Sequence, residues 1–331
     1  MLDMLSGKTP WCELLIPDQL VKLWGKSEHL EQSFLDMKQS FIVDLGLDML
    51  IVVPKEPPVK SAGCMMGQST VCLDWRDRYF IPIQDSRLYF GSGIRPDEYQ
   101  EREYCARINQ FNFDEFRYWS RLNYSPLVLI NGPFSEAMFT LGYEEFLNYF
   151  NQDAAQLVPI MQSLMEEQID LALIAQQHGA TGVVIGDDFA HANGLMIEKE
   201  YFEFFVLPIY KQAIARLHQH SLPVVLHCDG NFQSVLDKLL AVGFDGIQGM
   251  EWASVRDLAH YLEKYQLKIF VGNLSPEYLS FEADDTDLRT AVQELVSLLK
   301  KYPNYLFGTS SGLSSDMDLT KLKLLSNLVL R

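Results

Sequence analysis

Several features that mark familiar protein classes are missing from this sequence. Its five cysteines are spread over 331 residues without a CxxC pair, which excludes a zinc ribbon or a disulfide scaffold and indicates reduced thiols. Lysine and arginine total 27 against 44 acidic residues, a formal charge of −17, so a nucleic-acid partner is not expected. Because no apolar run approaches about 18 residues, no membrane-spanning helix is expected either.

Targeting signals and two common catalytic motifs are absent as well. The opening MLDMLSGKTPWCELLIP has no basic region followed by an apolar core, so we expect no secretory signal. The chain contains neither GxxxxGK[ST] nor HExxH, and the GSG at 91–93 is too short for a dinucleotide fingerprint. With 48% hydrophobic and 21% charged residues, the composition predicts a globular cytoplasmic protein with a large core.

Short apolar runs alternate with longer amphipathic stretches, which is typical of β/α units around a parallel sheet. Eight such runs predict a single (β/α)8 TIM barrel over residues 1–331, and an open doubly wound sheet is the alternative. The predicted strands are 11–16, 50–54, 127–130, 183–186, 223–227, 246–250, 268–272 and 305–308. The predicted helices include 153–178, 198–220, 232–241, 254–264 and 285–301.

Two local features modify this regular pattern. The stretch 55–112 is rich in aromatic and β-branched residues, which predicts an irregular β-hairpin insertion after the second strand, near the barrel mouth. Pro208 lies inside a predicted helix and is expected to kink or split it, because proline cannot donate a backbone hydrogen bond.

Polar residues follow five of the apolar runs directly. In a parallel barrel these positions all lie at the carboxyl edge, where catalytic groups gather. Each has a simpler interpretation when taken alone, as a helix cap, a core histidine or a turn residue, but their shared position favours a common site. They are Asp187, Asp188, His227, Asp229, Asn231, Glu251, Asn273, Ser310 and Ser311.

The spacing of His227 and Asp229 allows a metal site. Residues two apart on a strand face the same side, so Cys228 between them is expected to point away. With a nearby carboxylate such as Asp187 or Glu251, this pair could hold zinc and leave one coordination position open.

With these motifs on hand, the chain resembles the superfamily of uroporphyrinogen decarboxylase and the cobalamin-dependent methyltransferases. The resemblance is densest over 179–315 and implies a single barrel with its pocket at the carboxyl ends of the strands. It is carried by NGPF, GDDFAHANGLMIEKEYFEFFVLPIYKQAI, LHCDGNFQSVL, GFDGIQGMEW, VGNLSPEYL and FGTSSGLS.

Within the superfamily, the sequence is more similar to the methyltransferases. Decarboxylase members carry arginines in the first block and an aspartate after the second strand, but here those segments read WCELLIP and IVVPKEPP. His227 matches the histidine of the methyltransferase His-x-Cys motif, whereas Asp229 and Ser311 stand where those enzymes carry cysteines. The resulting HCDGN, together with GDD, is more similar to the demethylase branch, whose members move methyl groups from ethers or amines to a corrinoid protein.

The resemblance therefore implies a corrinoid-dependent methyltransferase with a small methylated substrate and a corrinoid supplied by a separate protein, and it allows a homodimer. A carboxylic acid or imidazolium beside the heteroatom would act as general acid, or a hard metal would polarise it. The expected catalytic residues are His227, Asp229 and Asp187, with Asp188, Asn231, Glu251, Asn273 and Ser311 contacting substrate. The alternatives are a decarboxylase-like lyase acting on an acidic substrate and a non-catalytic ligand-binding barrel.

Overall fold

Eight parallel strands form the centre of the protein. The structure, a computed structural model, describes residues 10–25, 33–54 and 111–329. The strands lie side by side in chain order, and a parallel bridge between Trp11 and Phe307 joins the last strand to the first. The predicted (β/α)8 barrel is thereby confirmed. The strands are β1 (Cys12–Glu13), β2 (Met49–Val52), β3 (Leu127–Asn131), β4 (Gly182–Gly186), β7 (Val224–His227), β8 (Gly246–Gln248), β9 (Ile269–Val271) and β10 (Tyr305–Leu306).

Amphipathic helices surround the described part of the barrel, and the predicted helices match them to within a few residues. Most of the predicted hairpin insertion at 55–112 lies outside the described residues and stays a prediction. The helices are α1 (Asp18–Trp24), α2 (Phe34–Leu45), α3 (Asp114–Arg121), α4 (Pro133–Leu141), α5 (Tyr143–Asp153), α6 (Leu157–Gln177), α7 (Lys199–Tyr201), α8 (Leu207–Gln219), α9 (Leu236–Val242), α10 (Val255–Lys264), α11 (Asp285–Leu299) and α12 (Leu319–Val329).

Local chemistry accounts for several helix ends. Pro208 lies in the first turn of α8, and a π-helical turn at 202–206 separates α8 from α7, so the predicted interruption near this proline is confirmed. Gly179, with φ of 114°, follows the end of α6, and this left-handed conformation favours glycine. At the start of α10, Ser254 and Asp257 form a capping box.

The barrel strands separate two apolar layers. Side chains alternate along each strand, so Val184 and Val225 pack inside the barrel, while Val183 and Leu226 pack against the helices. By the same alternation His227 and Gln248 face the barrel interior at its carboxyl end. These are polar groups in an otherwise apolar layer, and both are buried.

A short antiparallel hairpin extends the carboxyl edge after β4. It consists of β5 (Ala190–His191) and β6 (Gly194–Leu195), in a segment outside the predicted strands and helices. The backbone N–H of Asn231 donates to the His191 carbonyl at 2.9 Å, which attaches the hairpin to the loop after β7. Over the described ranges, no helix combines the length and apolar character that crossing a bilayer requires.

Candidate metal centre

Asp188, His227 and Asp229 meet at the carboxyl edge of β4 and β7. One ligand-type atom from each lies within 4.8 Å of the others. His227 Nε2 and Asp229 Oδ1 are 3.6 Å apart, which is too long for a hydrogen bond. Ligands bound to zinc at about 2.0–2.1 Å in a tetrahedron lie about 3.4 Å apart. The cluster therefore has donor types and spacing that suit a small divalent cation.

Gln248 holds the other side of the His227 ring. Its side-chain oxygen contacts His227 Nδ1, and its amide nitrogen donates to the carbonyls of Thr309 and Ser310 at 3.0 and 2.8 Å. Both Gln248 and His227 are almost completely buried. This contact leaves Nε2 as the ring atom that faces Asp229. A metal-binding histidine usually has such a partner on its second nitrogen.

The two carboxylates of the cluster differ in exposure. Asp188 is buried, its backbone N–H donates to Ser135 Oγ at 2.8 Å, and its Oδ1 accepts the backbone N–H of Asp229 at 2.9 Å. The Asp229 side chain is 36% exposed. The cluster is therefore anchored on the Asp188 side and reachable from solvent on the Asp229 side.

Asp187, the neighbour of Asp188, lies in a different environment. Its carboxylate accepts the N–H groups of Phe134 and Ser135 at 3.1 and 2.6 Å, at the start of α4, and the Tyr210 hydroxyl at 2.5 Å. Burial raises the pKa of Asp187 to about 6, and these hydrogen bonds oppose the rise. Asp187, which follows β4, therefore caps the first turn of α4. The catalytic role of Asp187 stays a prediction.

Gly132 makes room for this cap. A methyl group at position 132 would overlap the Asp187 carboxylate, although the φ of −84° suits any residue. We expect Gly132→Ala to lower the free energy of unfolding by about 1–3 kcal/mol, as overpacking does, in a urea titration. The matched control is Gly25→Ala, where φ is −79° and the nearest atom is 3.6 Å away. Equal effects of the two substitutions would contradict the steric argument.

The remaining predicted substrate contacts lie near the same edge. Glu251 is exposed, and its carboxylate accepts the Ser310 hydroxyl at 2.5 Å, with Ser311 Oγ 3.5 Å from that hydroxyl. The two asparagines already have backbone partners. Asn273 Nδ2 donates to the carbonyls of Met250 and Ala253. Asn231 Oδ1 accepts the backbone N–H of Gln233, a turn interaction. Their roles toward substrate stay predictions.

Cys228 and the segment 308–312 are possible nucleophiles by residue type. Cys228 is buried among the outer-layer side chains, as its position between His227 and Asp229 predicts, and burial raises the pKa of its thiol. Residues 308–312 read GTSSG and fit the pattern GxSxG. That pattern normally marks a strand–turn–helix, but the next helix here, α12, starts only at Leu319 and Ser310 donates to Glu251. Neither segment therefore has the setting of an activated nucleophile.

Sequence reasoning missed two elements of the site. The polar residues that follow the apolar runs do not include Gln248, although a glutamine inside the apolar run GIQGM is a signal, because its alternation with Ile247 turns it inward. The sequence also predicts Asp187 or Glu251, and not Asp188, as the third donor. The structure brings Asp188 to the cluster, because Asp187 turns toward α4.

A closed parallel barrel with polar donors gathered at its carboxyl edge is the arrangement of TIM-barrel active sites. Residues 125–331 match the family described as uroporphyrinogen decarboxylase (URO-D). The chain belongs to this family, as the resemblance in its motifs implied.

Individual relatives agree with this assignment. A methylcobamide:CoM methyltransferase, MtbA, of Methanosarcina acetivorans is 24% identical over 168 residues, which cover 50% of this chain and 48% of that protein. The match thus spans about half the length of that curated relative. A solved methyltransferase from Methanosarcina mazei aligns over 99% of this chain and 95% of its own, with a TM-score of 0.65 and 13% identity. At that identity, the likeness shows the shared fold.

Proposed function

We propose that this chain is a methyltransferase that moves a methyl group between a small methylated compound and the corrinoid of a separate protein. The observation that carries the proposal is the cluster of Asp188, His227 and Asp229 at the carboxyl edge of the barrel. Membership of the URO-D family and the two methyltransferase relatives support it.

The donor set fits a divalent metal ion. One imidazole and two carboxylates suit zinc or a harder cation, whereas a site built from cysteine thiolates would favour softer metals. Asp188, His227 and Asp229 would hold the ion, and Gln248 supports the ring from behind. When bound there, the ion would act as a Lewis acid on the heteroatom that carries the methyl group.

The chain's own side chains would orient the substrate over this cluster. Among the described residues, Asp229 and Glu251 are exposed acids at this edge, so an incoming substrate can contact them. During transfer the bond between methyl carbon and heteroatom breaks. The heteroatom keeps the electron pair and takes up a proton, and the new bond to carbon is made with an electron pair from the reduced cobalt of the partner's corrinoid, a co-substrate.

The family's name favours one alternative, a lyase that decarboxylates an acidic substrate. Binding of a polycarboxylate needs cationic side chains in the pocket. The described part of the edge instead exposes the acidic side chains of Asp229 and Glu251, which disfavour such a substrate. Methyl transfer is therefore the preferred function.

An assay with free cob(I)alamin as methyl acceptor tests the proposal. We expect the wild-type protein to methylate the reduced corrinoid from a methylated amine, ether or thiol, seen as a change in visible absorption. Asp229→Asn should lower the rate by about 100-fold or more, because catalysis loses a charged group at the reacting centre. Its matched control is Asp237→Asn, which removes an exposed acid paired with Lys264 on the outer surface and should leave the rate unchanged.

Three outcomes would contradict this function. Equal rates in wild type and Asp229→Asn would exclude the cluster as the reacting site. Release of carbon dioxide from a polycarboxylate, without methyl transfer, would favour the lyase. Stabilisation by a methylated compound without any product would indicate a binding protein.

A further inference from the structure

We propose that Gln248 is a positioning residue that fixes the tautomer of His227 and so presents the Nε2 lone pair to the metal cluster. The inference concerns the apoprotein itself, and it rests on the proposed function only where it predicts an effect on metal affinity. The residue lies at the end of β8, directly beside His227 at the end of β7, because the two strands pair in register at these positions.

The orientation of the Gln248 amide follows from its partners. Thr309 and Ser310 offer backbone carbonyl oxygens at 3.0 and 2.8 Å, and a carbonyl can only accept a hydrogen bond. The NH2 group must therefore face these two oxygens, and both of its protons are used. The amide oxygen is then left toward His227 Nδ1. Since that oxygen accepts only, Nδ1 must carry the ring proton.

The two carbonyls that orient Gln248 are themselves held in place. The backbone N–H and the hydroxyl of Thr309 donate to the Glu13 carboxylate at 3.1 and 2.5 Å, and Glu13 is completely buried in β1. The Ser310 hydroxyl donates to Glu251 at 2.5 Å. A flip of the amide would place its oxygen against two fixed acceptors in a buried site, which is strongly unfavourable.

The position of the ring proton decides which nitrogen of His227 can bind a metal. With the proton on Nδ1, a neutral ring has its lone pair on Nε2, the atom 3.6 Å from Asp229 Oδ1. Imidazole binds a metal only through an unprotonated nitrogen. Contacts of Glu13 in β1 with Thr309, which follows β10, thus help to set the tautomer of His227 in β7 through Gln248.

Nitrogen NMR of the histidine rings in the metal-free protein tests the inference. Spectra are recorded at about pH 8, above the ordinary histidine pKa of about 6.5, and His227 is assigned by its loss in His227→Ala. We expect a single tautomer in the wild type, with the proton on Nδ1. Gln248→Met removes the acceptor and should give a mixture of tautomers.

Zinc affinity, measured by competition with a chelator, is the second readout. Gln248→Met should weaken it about 10- to 100-fold, as loss of a partner behind a ligand does. The matched control is Asn304→Leu, which removes another buried amide that donates to backbone carbonyls, at the start of β10 on the opposite edge. This control should lose stability but keep the wild-type tautomer and affinity.

Failure of this inference is distinguishable from failure of the metal centre. A proton on Nε2 in the wild type would overturn it even if Gln248→Met did not fold. An unchanged tautomer and affinity in folded Gln248→Met would overturn it too. If the wild type carries the Nδ1 proton but binds no metal, the metal centre fails and the role of Gln248 in setting the tautomer is still supported.

Discussion

His227→Ala is expected to purify without the metal ion that the wild-type protein retains at close to one equivalent. The cluster contributes three donors, and His227 supplies its sole nitrogen. Its loss leaves two carboxylates, one of them 36% exposed, which cannot hold zinc at the affinity of a three-donor site. The fold should persist, because the ring lies at the end of its strand. Elemental analysis of both proteins, with circular dichroism for the fold, gives the measurement.

The control for this experiment is His218→Ala. That histidine lies on the outer surface of the barrel, where its ring contacts Asp245 at 2.7 Å, so its removal should leave the metal content unchanged. Near-stoichiometric metal in His227→Ala would show that the ion binds elsewhere. Metal in none of the three proteins would leave acid catalysis by the carboxylates or a plain binding role.

Substitution of Asp187 is expected to lower the stability of the protein, whereas substitution of the adjacent Asp188 is expected to lower its metal affinity. Asp187→Ala leaves Phe134 N–H, Ser135 N–H and the Tyr210 hydroxyl without their acceptor in a completely buried site. Each buried donor left in this way costs about 1–3 kcal/mol. The free energy of unfolding should therefore fall by about 3 kcal/mol or more, measured by urea denaturation of the metal-free protein.

Asp188→Asn should keep the stability of the metal-free protein and lose metal affinity. The amide oxygen can still accept the Asp229 N–H that Asp188 Oδ1 accepts at 2.9 Å, so the stability of the metal-free protein should change by less than about 1 kcal/mol. Metal affinity should fall at least about 100-fold, because a neutral amide is a much poorer ligand than a carboxylate for these cations. A stable Asp187→Ala that binds no metal would instead return the ligand role to Asp187.

The sequence does not reveal which of these two acids caps a helix and which joins the metal cluster. Both follow the same apolar strand, and either could cap a helix or bind a metal. The sequence favoured Asp187 as the catalytic carboxylate, whereas the structure turns it toward the first turn of α4 and leaves Asp188 with His227 and Asp229. The choice depends on the backbone turn after β4 and on the distant Ser135 and Tyr210, which no local pattern reveals.

Asn273 makes contacts that the sequence does not predict. Asn273 is polar and follows a strand, so the sequence placed it against substrate. In the structure its amide donates to the carbonyls of Met250 and Ala253, which lie 23 and 20 residues earlier in the chain. Polar residues at strand ends can serve catalysis or satisfy loop backbones, so the role of Asn273 toward substrate stays a prediction.

What the sequence alone determined is the barrel and the edge at which its site lies. Apolar runs and amphipathic stretches have periods fixed by strand and helix geometry, so the strands, half of the described helices and the convergence of polar residues could be predicted. The pairing of His227 with Gln248, the choice of Asp188, and the use of Asp187 as a cap were decided by tertiary structure. These depend on contacts between β1, β4, β7, β8 and β10, whose relative positions exist only once the sheet has closed.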